Sequence, residues 1–278
     1  MKKLFAVLLI AGMWGFMMNS CQKSSDVKLT NDQEVSTLHA LGCNLLPADE
    51  YAKIPVAKEL EGVVTKAAVM LNVPPIGDQG GEGSCVAFGT AYDARSIFWQ
   101  AGHPAAWSYS VNIFSPEYVY NQIKVRRSCA SGAYVTTGLN LLQSQGVCRW
   151  SLMPYTDVSC TTKPNTTQKA DAANYKIASY STVTRNTTAI KAQLAAGKPV
   201  IVAGPVSNGF MYLANGGILT TFVGGSLGGH CYCVVGYDDA IGAFKFMNSW
   251  GTGWSSAGFG WIAYGYETTW WQEAYILN

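Results

Sequence analysis

The pattern of hydrophobic and polar positions changes along the chain. Between residues 67 and about 175, apolar side chains recur at helical spacing, and the run from Cys85 to about Ala101 is apolar almost all round. Such a run is typical of a helix in the middle of a fold. Ser84 can cap its start, and Gly102 helps to end it. From about residue 199 onward, short apolar runs are separated by tight turns, which favours strands.

Caps and breakers place the other elements. Ser115-Pro116-Glu117 combines a cap, a proline at the first helical position and an acid in the first turn, and so predicts a helix start. Three more helices are predicted at about 31–40, 137–145 and 188–196, and four strands at 199–203, 229–237, 243–248 and 259–264. Helices followed by strands predict an α+β fold of two lobes, 67–175 mainly helical and 176–278 mainly β.

The N-terminus has the features of an export signal. Lys2 and Lys3 precede an apolar run, Leu4–Met18, that is too short to span a bilayer. The following Asn19-Ser20-Cys21 resembles the cleavage site of bacterial lipoproteins, in which this cysteine becomes the lipidated first residue. Ordinary secretion with cleavage nearby is the alternative. We therefore expect an exported protein that meets the membrane only through a lipid on Cys21. Residues 22–66, polar and mixed in charge, are interpreted as a linker or a short pro-segment.

Composition narrows the function classes. With 49% hydrophobic and 13% charged residues, the chain can fill a large core. The net charge of +2 and the lack of a long basic run give no indication of nucleic-acid binding. An exported chain with eight cysteines is expected to form one or two disulfides. No cysteines or histidines stand at zinc-ligand spacing, so neither a metal nor a cofactor is expected. Oligomeric state is not predicted.

Cys85 is a candidate nucleophile. The N-terminus of a helix lowers a thiol pKa, and a thiolate attacks carbonyl groups well. Glycines on the incoming loop give a substrate backbone access to the sulfur. Gln79, six residues earlier, can donate a hydrogen bond to the oxyanion that then forms, with the Cys85 N–H as second donor. The alternatives are that Cys85 is structural and that Gln79 only satisfies backbone groups of its turn.

His230 is the candidate base among three histidines. His39 lies in the polar N-terminal segment and His103 lies at a helix end, whereas His230 opens an apolar strand after two glycines. A neutral imidazole there can take a thiol proton and return it to a leaving amine. Asn248 ends the next predicted strand and can orient that imidazole. Trp250 can cover the hydrogen bond between them from water.

Three segments together resemble papain-like cysteine peptidases: Pro75–Phe88 around Cys85, Gly229–Tyr237 around His230, and Asn248–Trp254. They follow the family's order, with His230 lying 145 residues and Asn248 lying 163 residues after Cys85. The family's usual spacing is about 130–150, so the asparagine is slightly far. The resemblance covers the chain from about residue 67 to its C-terminus.

The resemblance implies a helical lobe with Cys85, a barrel-like β lobe with His230 and Asn248, and a cleft between them. It assigns Gln79 to the oxyanion hole. Further substrate-binding residues are implied along a glycine-rich loop, near the second specificity pocket and beside the catalytic pair: Ser131, Gly132, Ala133, Tyr134, Ala203, Gly228, Gly229 and Trp250.

The chain departs from the family at several positions. Val86 stands where an aromatic residue is usual, and Glu82 stands where a cysteine is common. Any bridge from Cys129 must therefore use Cys148 or Cys160. Residues 22–66 are too short for the long inhibitory propeptide of plant and lysosomal members, which leaves open how activity is restrained.

These observations predict a cysteine peptidase that hydrolyses peptide or protein substrates through an acyl-enzyme on Cys85. Two alternatives remain. One is a Cys-His acyl transferase, such as a transglutaminase or arylamine acetyltransferase, although these use an aspartate where this chain has Asn248. The other is a catalytically silent homologue that binds peptides.

Overall fold

The computed structural model describes residues 39–58, 60 and 66–278. The predicted signal at 1–21, the lipidation site Cys21 and most of the predicted helix at 31–40 lie outside this part of the chain. The last two residues of that predicted helix, His39 and Ala40, are described and are not helical.

A continuous buried helix carries Cys85 at its first position. It comprises α2 (Cys85–Ala87), a π-helical stretch (Phe88–Arg95) and α3 (Ser96–Gly102). Ser84 occupies the cap position, but its side chain does not cap the helix. Its hydroxyl instead forms a 2.8 Å hydrogen bond with the Tyr155 hydroxyl. The expected role of Ser84 as a side-chain cap is therefore wrong, because the tyrosine competes for the same oxygen.

The other helices surround the buried helix or lie on the sheet. The helix predicted after Ser115 is present, and the Ser115 side chain accepts a hydrogen bond from the Tyr118 N–H. The bounds are α1 (Ala48–Tyr51), α4 (Pro116–Ile123), α5 (Val135–Ser144), α6 (Thr166–Ala172), α7 (Thr187–Ala195), α8 (Asn208–Met211) and α9 (Glu267–Trp270), with 3-10 turns at Trp150–Leu152 and Ala173–Tyr175.

The strands form one large mixed sheet and one short pair. The bounds are β1 (Cys43–Asn44), β2 (Ala68–Met70), β3 (Ala133–Tyr134), β4 (Tyr180–Thr182), β5 (Val200–Val206), β6 (Ile218–Leu219), β7 (Gly228–Asp238), β8 (Ala243–Met247), β9 (Phe259–Ala263) and β10 (Glu273–Leu277). The large sheet has the order β4-β10-β5-β7-β8-β9-β6, with β2 on the second half of β7. β1 and β3 form a separate parallel pair.

The long central strand β7 organises the site. Its first half pairs with β5 and its second half with β2 and β8, so both of its edges are covered. One core cluster joins the Cys85 helix to one face of the sheet, and a second cluster fills the opposite face. Within the part of the chain that the structure describes, no helix is both long and apolar enough to cross a bilayer. The architecture is the α+β arrangement of helical and β lobes that the sequence predicted.

Candidate active site

Cys85 begins the buried helix and is fully buried in this structure. Burial raises the pKa of its thiol to about 11. Backbone N–H groups around the sulfur lower that pKa in part, those of Cys231 and Gly42 among them. The Cys231 amide belongs to the residue after His230. The helix therefore places the thiol beside the start of β7.

His230 and Asn248 meet across neighbouring strands. His230 lies on β7, and Asn248 directly follows β8. Nε2 of His230 and Oδ1 of Asn248 lie 2.8 Å apart. Nδ1 of His230 is buried, with no hydrogen-bond partner among the described residues. Asn248 thus fixes the ring through one nitrogen and leaves the other available for proton transfer.

Aromatic rings cover this hydrogen bond. The Trp250 ring lies 4.6 Å from the His230 ring, and Phe210 approaches the same imidazole edge-on at 5.7 Å. Burial lowers the pKa of His230 to about 4, although the hydrogen bond with Asn248 raises it in part. Burial therefore disfavours the charged forms of both the thiol and the imidazole.

Gln79 is hydrogen-bonded through both its backbone and its side chain. Its backbone N–H donates to Ser249 O at 2.8 Å, and its carbonyl accepts from the Tyr155 hydroxyl at 2.7 Å. Its side-chain Oε1 accepts from Ser249 Oγ at 2.7 Å. The last contact fixes the amide so that Nε2 must point away from Ser249. Nε2 is therefore a preorganised donor of the kind that stabilises an oxyanion.

That donor already has a partner in the N-terminal segment. Gln79 Nε2 donates to the carbonyl oxygen of Ala40 at 2.8 Å. Gly42 is buried two residues later, where a Cβ would lie 2.0 Å from Gly83 O. Upstream, the His39 ring stacks on Trp250 with 5.0 Å between centroids. Residues 39–46, which we call the cleft segment, therefore occupy the space in front of Cys85.

The cleft segment continues as a strand along the predicted substrate loop. In β1 and β3, Cys43 pairs with Ala133 and Asn44 pairs with Tyr134, in parallel. The Ala133 N–H donates to Gly42 O at 2.9 Å. Contacts of this kind are sequence-independent, since they use backbone groups alone.

The opposite wall of the cleft holds the same segment. A Cβ on Gly229 would lie 2.2 Å from Cys43 O, and one on Gly228 would lie 3.0 Å from the Leu41 side chain. Further along, the Leu46 N–H donates to the Glu273 carboxylate on β10. Burial raises the pKa of Glu273, while the Leu46 hydrogen bond lowers it. Both walls therefore fit the backbone of residues 41–46 closely.

The structure gathers most of the predicted substrate-binding residues around this segment. Ala133 and Tyr134 pair with it, and Gly132, Gly228 and Gly229 lie close against it. Trp250 contacts it through His39. Ser131 lies one residue before Gly132 in the loop, and its carbonyl accepts from the Tyr120 hydroxyl at 2.8 Å. Ala203 is fully buried beneath the cleft, paired with Cys231 and Glu273.

A disulfide braces the substrate loop. Cys129 and Cys160 are bonded, and the Gly83 N–H donates to Cys129 O at 2.8 Å. The bridge is one of the two pairings that the resemblance left open. Cys148 remains a free, buried thiol, as do Cys231 and Cys233.

The contacts of Ala40, Gly42 and Glu273 in the cleft were not predicted from the sequence. Residues 39–46 have no periodicity, and Gly42 and Cys43 form an ordinary small-residue pair in the sequence. Their position depends on contacts that span 39 to 227 positions of the sequence, from the pair Ala40–Gln79 to the pair Leu46–Glu273. Only the glycine at 42 gave a local indication of close backbone approach.

Comparison with known proteins agrees with this geometry. Residues 64–276 match the family described as papain family cysteine protease. An uncharacterized peptidase C1-like protein of Acanthamoeba polyphaga mimivirus is 26% identical over 84% of this chain and 76% of its own length. A cathepsin B-like protein of Giardia intestinalis is 29% identical over 67% of this chain, which spans 63% of that relative.

Solved structures give the same fold. Xylellain, a cysteine protease from Xylella fastidiosa, superposes with a TM-score of 0.73 at 25% identity, covering 87% of this chain and 96% of its own. Procathepsin B S9 from Trypanosoma congolense has a TM-score of 0.70 at 17% identity, covering 88% of each chain. The chain therefore belongs to the papain family of cysteine proteases, and it is a cysteine peptidase with the two-lobed papain-like fold.

Proposed function

We propose that Cys85 is the nucleophile and His230 the general base and acid of this peptidase. His230 takes the thiol proton, Sγ attacks the peptide carbonyl carbon, and the C–N bond breaks as the proton passes to the leaving amine. Water then cleaves the S–C bond of the acyl-enzyme, returning a proton to Sγ through His230. Asn248 orients the imidazole, and Gln79 Nε2 with the Cys85 N–H stabilises the oxyanion.

We further propose that the described chain is a self-blocked precursor and that residues 22–66 contain a short pro-segment. The observation that carries this proposal is the hydrogen bond from Gln79 Nε2 to Ala40 O. It places a carbonyl of the chain itself on the oxyanion donor. Gly42 meanwhile packs against Gly83, directly before the nucleophile helix. A substrate can reach Cys85 only after this segment leaves.

The direction of the cleft segment explains why it blocks the site without being a good substrate. The resemblance assigns Ala133 and Gly228 to the second specificity pocket, which holds the residue two positions before the bond that is cut. In this structure Cys43 lies beside Ala133. Cys43 comes three positions after Ala40, whose carbonyl accepts the hydrogen bond from Gln79. The cleft segment thus runs opposite to the expected substrate direction, which places its peptide bonds in the wrong orientation for attack.

We also propose that the precursor is exported and anchored by a lipid on Cys21. The support is the sequence of residues 1–21 alone: two lysines, a short apolar run and a serine-cysteine pair. Cleavage between the cleft segment and the catalytic residues would separate the peptidase from this anchor. Labelling of the full chain with a radioactive fatty acid in a bacterial host, lost in Cys21→Ala, tests the proposal.

Substituting Gly42 tests the peptidase and the blocked state together. Residues 22–278 carrying Gly42→Leu are compared with the parent protein on an unbiased peptide mixture, under mild reduction. Because a Cβ at 42 meets Gly83 O at 2.0 Å, the segment should be displaced and the initial rate should rise at least about tenfold. The matched control is Gly102→Ala, where a Cβ meets nothing within 4 Å.

The added variant Gly42→Leu/Cys85→Ala identifies the nucleophile. Its activity should be absent if Cys85 forms the acyl-enzyme. Equal rates for the parent and Gly42→Leu would reject the blocked state but keep the peptidase. If Gly42→Leu protein, in which the segment is displaced, cleaves no peptide, the peptidase is rejected. A protein that only binds peptides is then favoured.

A further inference from the structure

An open cavity of about 470 Å³ beside the substrate loop is lined by four cationic side chains. Lys124 and Val125 follow α4, and the cations are Lys124, Arg126, Arg127 and Lys163. Arg126, Arg127 and Lys163 are exposed, and Lys124 is half-buried. We call these four residues the basic surface.

The charges of the basic surface are not neutralised by neighbouring carboxylates. Across residues 39–58, 60 and 66–278, the ion pairs within 4.0 Å are formed by other cations: Lys53, Arg149 and Lys191. Burial and the charge of Lys163 lower the pKa of Lys124, and the carboxyls of Glu82 and Glu117 raise it only in part. Four like charges at one cavity favour an anionic partner.

Two of these cations are held in place by backbone carbonyls. The Lys124 Nζ donates to Asn121 O at 3.3 Å and to Cys160 O, and the Lys163 Nζ also donates to Asn121 O. Fixing long side chains in this way reduces the conformational entropy that they lose when a ligand binds. The surface is therefore prepared for an anion before one arrives.

The basic surface is continuous with the substrate loop. The Val125 N–H donates to Gly132 O at 3.0 Å, and Gly132 lies against Gly42 O of the cleft segment. The disulfide between Cys129 and Cys160 joins the chain segment that carries Lys124, Arg126 and Arg127 to the segment that carries Lys163. The basic surface therefore adjoins the loop that the resemblance assigns to substrate binding.

We propose that the basic surface binds acidic side chains of the polypeptide substrate, on the N-terminal side of the bond that is cut. This inference rests on the proposed function, because it takes the substrate direction from it. A polypeptide is favoured over a small anion because the four cations are spread around an open cavity, and because Val125 in its lining is hydrogen-bonded to Gly132 of the substrate loop. The peptidase would accordingly select proteins with an acidic stretch upstream of the cleavage site.

The test uses one cleavable core peptide in three forms: four Glu at its N-terminus, four Glu at its C-terminus, and four Gln at its N-terminus. For Gly42→Leu protein at low ionic strength, kcat/KM for the N-terminal Glu form should exceed that for the Gln form about tenfold. Arg126→Glu/Arg127→Glu should abolish or reverse this preference. The matched control Lys176→Glu/Lys198→Glu changes the net charge equally at a different cavity and should retain it.

Three results would overturn the proposal: equal rates for Glu and Gln forms, equal gains from Glu at either end, or a preference unchanged in the Arg126/Arg127 variant. A separate measurement does not require turnover. Anisotropy of a fluorescent Glu-rich peptide on Gly42→Leu/Cys85→Ala protein should show binding that the arginine substitutions remove. Binding that depends on these arginines for a sulfated polysaccharide but not for this peptide would also overturn it. Peptide binding without any cleavage would reject the peptidase and keep the basic surface.

Discussion

At the scale of single residues, Glu82 is a buried carboxyl in the loop that carries Gln79. It is 1% exposed, and its Oε1 is buried with no hydrogen-bond partner among the described residues. Its carbonyl accepts from Gln79 Nε2 at 2.9 Å. Burial raises its pKa to about 7, with Glu117 and Asp157 adding to the effect, while Tyr155 and Lys124 oppose it. The fold therefore favours the protonated acid.

Glu82 should make the protein less stable as the pH rises. Its folded pKa of about 7 lies above the ordinary value of 4.5, so its stabilising contribution is complete below about 4.5 and is lost as the pH rises toward and past 7. Glu82→Gln keeps the shape without the charge. From pH 5 to pH 8 the parent should therefore lose roughly 1–3 kcal/mol of unfolding free energy relative to the variant.

Urea unfolding at both pH values measures this difference. The Cys85→Ala background prevents self-digestion, and Glu50→Gln is the matched control because Glu50 is exposed. A parent protein and a Glu82→Gln variant that lose the same stability between pH 5 and pH 8 would show that Glu82 is ionised throughout.

Individual site residues differed in how far the sequence could predict them. Cys85, His230 and Asn248 each stand beside a glycine, a helix start or a strand end, so local pattern and order along the chain were enough to select them. Ala40 contributes only a backbone carbonyl, which any residue carries. The hydrogen bond between this carbonyl and Gln79 depends on the packing of the whole cleft. The type of side chain at position 40 gives no indication of it.

At the scale of elements, the nucleophile helix was predicted almost to its ends, but its π-helical stretch was not. The apolar pattern over 85–101 indicates that the helix is buried. It does not indicate which hydrogen-bond register the helix adopts. The register is adjusted where the helix crosses β7: a Cβ on Gly89 would lie 2.9 Å from Cys231 Sγ. Thr90 Oγ1 also donates to Val86 O at 2.7 Å, inside the same turn. The approach of Gly89 to Cys231 is a tertiary contact, which the apolar periodicity of the helix does not indicate.

Two glycine-to-alanine changes in this helix should have opposite effects. Gly89→Ala must push the helix away from Cys231, which costs about 1–3 kcal/mol of stability and moves Cys85 away from His230, so kcat should fall. Gly102→Ala, at the end of the same helix, meets nothing within 4 Å. It should be neutral or stabilising by up to about 1 kcal/mol.

Thermal unfolding and kcat of the two variants, both carrying Gly42→Leu, measure these effects. The comparison separates crowding from helix propensity, because the same chemical change is made twice in one helix. A Gly89→Ala protein as stable and as active as Gly102→Ala would mean that the helix does not need this close approach.

At the scale of the whole molecule, the cleft depends on long-range links between segments that are separate in sequence. β7 brings His230 to the start of the Cys85 helix, and β10 brings Glu273 to the cleft segment. The overall α+β order followed from the sequence because helices and strands are segregated along the chain. The occupation of the cleft by residues 39–46 did not, because backbone pairing with β3 has no sequence code.

The disulfide is the covalent link among these long-range contacts. It closes a loop of 31 residues between Cys129 and Cys160 and ties the substrate loop to Gly83. Cys129→Ala/Cys160→Ala should lower the unfolding free energy by about 3–4 kcal/mol, because the unfolded chain regains the entropy of that loop. If Gly132 and Ala133 position the peptide chain and not the reacting atoms, as we propose, KM should rise more than kcat falls.

Chemical reduction of the Cys129–Cys160 disulfide tests the same stability difference without a substitution. In the Cys85→Ala background, strong reduction should bring the parent down to the stability of the double variant and leave the double variant unchanged. Cys148→Ala is the matched control: it removes a buried thiol that is free, so it should cost only the small cavity, about 1 kcal/mol, with or without reduction. Equal unfolding midpoints for parent and double variant would mean that the hydrogen bonds around Gly83 hold the loop by themselves. The bridge holds the loop that contacts the cleft segment and joins the two chain segments that carry the basic surface. Its loss should therefore weaken the blocking of Cys85 and the selection of acidic substrates together.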